Sequence, residues 1–391
     1  MAIHDTAIVG YAETKIVPVS DIDVWELGAE ILEQLLDRTG FEKGEIDGLI
    51  LSASTTGAGN SFWSQTTADQ LALELDFCQT VDIGGSSPLG ALARATAAID
   101  AGFCTTVLCL YADTSVAERG TARPRSYSEE WTQPFGYLGA PAAFGLLSQY
   151  YEQRFGLDYR ALGKLAVTQR NHALRNDLAC EKLRKPITID DYIASRMIND
   201  PIRLLDSVMI CDGASGLLVT SRKQAERRGL TRCVVPIGYG ERTNLNPARA
   251  IVDPTVSGHR AAGERAFAQA GLRPTDIASF HPYDDFIIAI MMQLEMLGFC
   301  DHGQGCAFIR ETDFGIEGDL PLNTSGGQIS AGQTGLAGGG TNLVEAVRQL
   351  FGEGGERQIA NRANALVTGI GGIPYGRNWN TSTVMILTPN A

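Results

Sequence analysis

The sequence predicts a duplicated α/β fold, and three observations carry that prediction. Apolar strand-like runs alternate with amphipathic helical stretches along the chain. The helix, turn and strand grammar of the first half recurs in the second. Glycine, 44 of 391 residues or about 11% where about 7% is usual, gathers at the turns between these elements.

Taken in order, the first half reads as a strand at Thr6 to Tyr11, a helix at Val24 to Thr39 and a strand at Gly48 to Ser52. A helix near Gln65 to Leu75, a strand around Gln79 to Ile83, a helix at Pro88 to Ala101 and a strand at Thr105 to Tyr111 follow. Gly40 closes the first helix and a polar turn leads into its strand. In the second half Gly263 to Ala270 reads as a helix closed by Gly271, with Thr275-Asp276 leading into the strand that ends at Phe280. A later helix in each half follows a glycine turn: Gly84-Gly85 before Pro88, and the tract Ser325 to Gly340 before Thr341 to Phe351. Between the halves, Val116 to Ile202 is rich in Arg, Tyr and Pro and reads as loops and short helices. The expected units are 1–115 as the first part of the N-terminal half, 116–202 as an inserted loop domain, 203–230 completing that half, and 231–391 as the C-terminal half.

A hydrophobic content of 44% with 20% charged residues supports a sizeable core and excludes a disordered chain. The net charge of −13 disfavours a nucleic-acid partner. No apolar run approaches the roughly 18 residues of a membrane span, and no signal peptide is visible. The eight cysteines show no Cys-x-x-Cys spacing, so no metal site is expected, and they suit reduced thiols in the cytoplasm.

Gly84-Gly85-Ser86-Ser87-Pro88 lies between an apolar strand and a helix with proline at its start, where free N–H groups present positive potential. The tract Asn323 to Gly340 holds too many glycines for a strand or helix, ends in no phosphate-loop lysine and has ordered flanks. It suits backbone in close approach to a ligand or to another segment.

At these residues the chain resembles the thiolase superfamily, most closely the sterol-carrier-protein type. Ser325 to Thr334, continuing to Val344-Glu-Ala-Val-Arg-Gln-Leu350, is similar to that family's "SGG…GHP…VEAVRQL" block. Asp200 to Asp206 with Cys211 to Gly216 is similar to "DPLRLLD…SDGAAA", His281 to Phe286 stands where the family has "HDCF", and Val81 to Pro88 where it has the nucleophile turn. The resemblance spans the chain in collinear order. It implies two βαβαβ-type halves in five α-β-α-β-α layers, an acyl-CoA substrate with no bound cofactor, and a homodimer.

The family's catalytic set is absent. The nucleophilic cysteine maps to Gly85, the "HDCF" histidine and cysteine to Tyr283 and Asp285, the "GHP" histidine to Gln333, and the late cysteine near Gly369. A thiolase needs a thiolate to hold the acyl group and a base to move protons, so thiolase activity is not expected. Ser86 lacks a neighbouring base and reads as a helix cap.

Retro-aldol cleavage of a 3-hydroxyacyl-CoA, releasing acetyl- or propionyl-CoA and a ketone or aldehyde, needs only a base, an acid and an enolate site. With "YDDF" replacing "HDCF", the chain resembles the thiolase-like aldolases that shorten steroid side chains, which implies a small OB-fold, zinc-ribbon partner subunit. Tyr283 and Asp285 are the expected proton-transfer pair, with Gln333, His281, Tyr239 and Tyr375 as further candidates and Asp284 either functional or structural. Gly84, Gly85, Gly371 and Gly372 are expected to hold the thioester enolate, and the Gly84-Gly85 turn to leave space beside it. Arg170, His172, Arg175, Lys182 and Arg184 are candidates for the CoA phosphates. The rival expectations are a non-catalytic acyl-CoA or lipid-binding scaffold and, third, a thiolase or acyltransferase that depends on a partner subunit.

Overall fold

A computed structural model describes residues 5–117, 129–137, 139–243, 253–373 and 379–390. The first half contributes β1 (Thr6–Glu13), α1 (Val24–Thr39), β2 (Gly48–Ser52), α2 (Trp63–Gln70), β3 (Phe77–Val81), α3 (Ser87–Asp100) and β4 (Thr106–Asp113). The insertion follows with α4 (Gly139–Phe155) and α5 (Tyr159–Leu174), after which β5 (Gly213–Ser221) returns to the first sheet. The second half supplies β6 (Val234–Thr243), α6 (His259–Ala270), β7 (Phe280–His281), α7 (Ile287–Met296), α8 (Gly327–Ala331), α9 (Gly339–Phe351), β8 (Ala365–Ile370) and β9 (Thr381–Pro389).

The strand order is β7-β8-β9-β6-β1-β5-β4-β2-β3. Outward from the centre, the first half runs β1, β5, β4, β2, β3 with two antiparallel and then two parallel pairings. The second half runs β6, β9, β8, β7 with the same senses, and a parallel bridge from Phe280 to Leu322 stands where β3 stands in the first. The duplication is therefore one of topology as well as of turn chemistry. The halves meet at the Ile8–Val234 pairing.

Side-chain alternation along the strands sets the layers. On β4, Leu108 and Leu110 pack with Leu27, Ile31 and Leu35 of α1, while Val107, Cys109 and Tyr111 face a central core shared by α3 and α9. On β9, Met385 and Leu387 face that central core and Val384 and Ile386 face the other way, toward α7 and the insertion. Five layers result, and strands buried on both faces read as unbroken apolar runs.

Most elements start and end where local chemistry dictates. Asp23 and Glu26 form a reciprocal cap on α1, and Gly40 (φ 69°) and Gly271 (φ 66°) close α1 and α6 in the left-handed region. Helix α2 is shorter than expected, since the chain turns at Ala72 with φ 49°, and β3 lies two residues early. The insertion differs most: it holds helices of 17 and 16 residues rather than short ones. Helix α4 buries Ala142, Ala143 and Gly145, with Asn199 packed on the glycine, so small residues hide its apolar face from a periodicity reading. No helix among the described residues is long and apolar enough to cross a membrane.

Candidate active site

The segment Pro282 to Phe286 joins β7 to α7 at the heart of the second half. Its backbone is gripped from three elements and from Asn323 of the glycine tract. Tyr283 N–H donates to Thr368 Oγ1 (3.0 Å), and its carbonyl accepts from Gln293 Nε2 (2.8 Å). The Pro282 carbonyl accepts from Asn342 Nδ2 (2.6 Å) and Asn323 Nδ2 (3.1 Å). Thr368 also donates to Gln293 Oε1, so one glutamine holds the Tyr283 carbonyl directly and braces its N–H through Thr368. These groups are buried, where a lost partner costs about 1–3 kcal/mol.

The loop carries the Tyr283 ring onto Gly85. A Cβ on Gly85 would lie 2.3 Å from both Cζ and Oη of Tyr283, so the phenol fills the volume that a residue-85 side chain would occupy. The expected free space beside this turn is thus taken by Tyr283. Gly84 has φ 62°, and a Cβ there would lie 2.3 Å from the Gly371 carbonyl oxygen, which brings the two glycine turns into contact. The Gly371 N–H is already bonded to the Thr381 carbonyl (2.7 Å) and so is not free for an enolate. Gly372, at φ 123°, is the next residue of that turn. Gly85→Ala is expected to displace the Tyr283 ring, lowering turnover more than tenfold and stability by about 1–3 kcal/mol, as steady-state assay and thermal denaturation would show.

Tyr283 Oη accepts a hydrogen bond from Gln333 Nε2 at 3.3 Å. Burial, then the charges of Asp285 and Asp284, push its phenol well above the ordinary value, while the Gln333 bond opposes them. Asp284 is structural in geometry: it accepts from the backbone N–H of Gln328 (3.0 Å) and Ile329 (3.2 Å) at the start of α8 and from Asn342 Nδ2 (2.9 Å). Asp285 has a buried Oδ1 with no hydrogen-bond partner. Burial and the neighbouring Asp284 raise its carboxyl to about 8. A carboxyl held near neutrality with an open oxygen is suited to proton transfer.

A cavity of about 580 Å³ lies beside bonding partners of this loop, and neither Asp284 nor Asp285 is among the residues that line it. Its wall residue Val208 donates to the Asp285 carbonyl, and its wall residue Ile329 donates to Asp284. Arg170, Lys182 and Lys185 also line it. Arg170 is buried, with Nε on Ser330 Oγ (3.2 Å) and Nη1 on the Lys185 carbonyl (3.0 Å). The other expected cations are elsewhere. His172 is buried with Nδ1 on the carbonyls of Leu322 (3.1 Å) and Asn323 (3.3 Å), burial lowers it to about 4, so it is neutral, and it does not line this cavity. Arg184 is spent on Asp177 and the Leu174 carbonyl, and Arg175 is an exposed residue at the end of α5 that does not line this cavity.

Among the remaining candidates, His281 does not join the Tyr283 cluster: it is fully buried with Nε2 on Ser279 Oγ (3.2 Å), and burial lowers it to about 4. Tyr239 donates to Glu241 (2.5 Å), which pairs with Arg94, and so braces the sheet against α3 away from the site. Tyr375 lies outside the described residues. Ser86 stands at the N-cap position of α3, but its hydroxyl makes no capping bond and donates to the Thr381 carbonyl (3.3 Å), while Ser87 accepts from Ile83 N–H (3.0 Å). Cys180 and Cys211 pack together behind Gly332 in a small apolar cluster, away from the surface.

Sequence reading missed Gln293, Thr368, Asn342, Gln328 and Lys185. Gln293 carried a signal: it is one of two polar residues in Ile287-Ile-Ala-Ile-Met-Met-Gln-Leu-Glu-Met296. His259 was also missed. It bonds Ser257 (2.8 Å) and the Gly369 carbonyl (3.1 Å), bracing the end of β8 behind Ser86.

Two duplicated halves, a glycine turn at the head of α3 and a convergent loop from β7 define a thiolase-type fold. Residues 240–388 match the family described as "Thiolase C-terminal domain-like". The chain is 29% identical to a steroid side-chain-cleaving aldolase of Thermomonospora curvata, covering 94% of this chain and 95% of that protein. It is 29% identical to a 17-hydroxy-3-oxo-4-pregnene-20-carboxyl-CoA lyase of Mycobacterium tuberculosis, covering 94% and 97%. The solved structure titled "Ltp2-ChsH2(DUF35) aldolase" superposes with a TM-score of 0.85 at 28% identity, over 100% of this chain and 99% of that one. The chain has a thiolase-like fold and is similar along its length to aldolases and lyases.

Proposed function

We propose that this chain is an acyl-CoA carbon–carbon lyase that cleaves a 3-hydroxyacyl-CoA by retro-aldol reaction, with no covalent acyl-enzyme. The observation that carries the reading is the phenol of Tyr283 in the volume of the absent nucleophile, two residues from Asp285, whose buried Oδ1 has no hydrogen-bond partner. A base takes the proton of the 3-hydroxyl, the C–O bond becomes a carbonyl, and the Cα–Cβ electrons pass to Cα as the thioester enolate. Protonation at Cα releases acetyl- or propionyl-CoA, and the other fragment leaves as ketone or aldehyde. Atoms and electrons balance without an oxidant, and no cofactor is required. The turn N–H groups of Gly84, Gly85 and Gly372 are the proposed enolate donors.

The relatives' names support a steroid-type acyl group, and the insertion at 116–202 is the segment we assign to its selection. Lys182 and Lys185, at the cavity, are the proposed phosphate contacts. Their joint replacement by alanine is expected to raise KM for acyl-CoA about tenfold with little change in kcat.

The name of the similar solved structure, Ltp2-ChsH2(DUF35) aldolase, supports a partner subunit here, which we take to be of the small OB-fold, zinc-ribbon type. A homodimer is supported by the edge strand β3, which among the described residues pairs with β2 alone and begins at Phe77, stacked on the exposed Phe103. The eight free cysteines support the cytoplasm.

The test is incubation of the protein, alone and with its OB-fold partner, with 3-hydroxyacyl-CoAs branched at Cα. Release of acetyl- or propionyl-CoA with a ketone or aldehyde is the expected result. Tight acyl-CoA binding without cleavage under any pairing would instead make the chain a scaffold.

A further inference from the structure

The side chains around Tyr283 form a hydrogen-bond chain with a fixed direction. Asp284, gripped by two backbone N–H groups and by Asn342, also accepts from Gln328 Nε2 at 3.5 Å. That contact turns the Gln328 carbonyl oxygen toward Gln333, whose Nε2 donates to it at 3.2 Å. The same Nε2 donates its second hydrogen to Tyr283 Oη at 3.3 Å. Gly338 makes room for the two amides: a Cβ there would lie 2.2 Å from Gln328 Oε1 and 2.9 Å from Gln333 Cγ. All four side chains are buried, so water does not scramble the order.

An ionised carboxylate only accepts hydrogen bonds, and a carboxamide has one accepting and one donating end. Anchoring one end of the chain at Asp284 therefore sets every amide after it.

We propose that Asp284, Gln328 and Gln333 are positioning residues that present an N–H to the Tyr283 oxygen, which makes Tyr283 the proton donor of the reaction and leaves Asp285 as its base. The inference rests on the lyase reading for its chemistry but not for its geometry. With its oxygen occupied as an acceptor by Gln333, the phenol directs its own proton away from the amides, at the enolate carbon. When that O–H bond breaks, Cα gains the proton and the Gln333 N–H stabilises the phenolate. The proton that Asp285 took from the substrate hydroxyl then restores the phenol, closing the cycle.

The test places a polyfluorinated tyrosine, whose phenol is more acidic than tyrosine's, at position 283. Fluorine NMR follows its resonance against pH in the native background and in Gln328→Leu, Gln333→Leu and Gln333→Met. The titratable groups facing the phenol are Asp284 and Asp285, both unchanged in these variants. Loss of the donor is expected to move the phenol's titration upward by about one pH unit in each variant. Where the phenol stays neutral throughout, the fluorine shift of the neutral form moves instead. Gln333→Met is the neutral, size-matched variant, and native-like thermal unfolding shows that it folds. In turnover, Gln333→Leu is expected to lower kcat at least tenfold with KM nearly unchanged.

A fluorine resonance and titration that are the same in native and variant proteins would overturn the inference whatever the activity. A titration that moves in a protein that cleaves no 3-hydroxyacyl-CoA would leave the amide chain standing and remove the lyase reading.

Discussion

Tyr283→Phe is expected to lower kcat for cleavage by about 10²–10⁴-fold, with acyl-CoA binding retained, because it removes one ionisable O–H and keeps the ring that packs on Gly85. Asp285→Asn is expected to cause a loss of the same order. The two variants then part in their dependence on pH and in their stability. Asp285 acts as base only when ionised, and its carboxyl is raised to about 8 by burial and by Asp284. In the native protein kcat/KM therefore rises about tenfold per pH unit up to near pH 8 and levels above it, whereas Tyr283→Phe keeps that limb at reduced height. Stability runs the other way. A carboxyl whose folded pKa lies above its unfolded value supports folding while protonated and loses that support as pH rises through the folded value. Asp285→Asn is therefore expected to melt higher than the native protein at pH 8 and to approach it near pH 4. Cleavage that persists unchanged in both variants would remove the pair from the mechanism.

How far the residues announced this arrangement depends on whether the signal was local. Helix α1 was legible to the residue, because its capping box and its left-handed Gly40 are adjacent in sequence. The duplication was legible for the same reason, through Gly40 and Gly271. The insertion was not: α4 packs through Ala142, Ala143 and Gly145, and small residues leave little periodic contrast. At the site, Tyr283 and Asp285 stood out as replacements in a recognisable block. What surrounds them is non-local. Gln293 and Thr368 are 75 residues apart, and Gln333 is 50 from Tyr283, so no spacing rule joins them. Burial decided the histidines: His172 and His281 look chemical in sequence, but the core that encloses them keeps both neutral.

Glu345→Gln is expected to be among the most damaging single substitutions for stability, although Glu345 forms no part of the proposed chemistry. The residue lies in the segment Val344 to Leu350 of α9, fully buried, and accepts from Thr324 Oγ1 (2.7 Å), Gln349 Nε2 (2.9 Å), Arg348 Nη1 (2.8 Å) and Arg357 Nη2 (3.3 Å). Arg348 continues to Glu13 of β1 at 2.6 Å, so the network ties the central layer and the Thr324 end of the glycine tract to the first half. Burial alone would raise the Glu345 carboxyl, but the charges of Arg357 and Arg348 outweigh it and hold the group down at about 2. A neutral amide leaves two nearby guanidinium groups short of a counter-charge, and breaking a buried pair in this way costs about 3–5 kcal/mol. The pH dependence gives the sharper check. The folded value of about 2 lies below the ordinary glutamate value near 4.3, so the stabilisation is complete above about pH 5 and is lost as pH falls through 2. Denaturant titrations of native protein and Glu345→Gln are expected to differ most at neutral pH and to converge on acidification. A difference that stays constant between pH 7 and pH 3 would show that the variant acts through packing rather than through the carboxylate's charge.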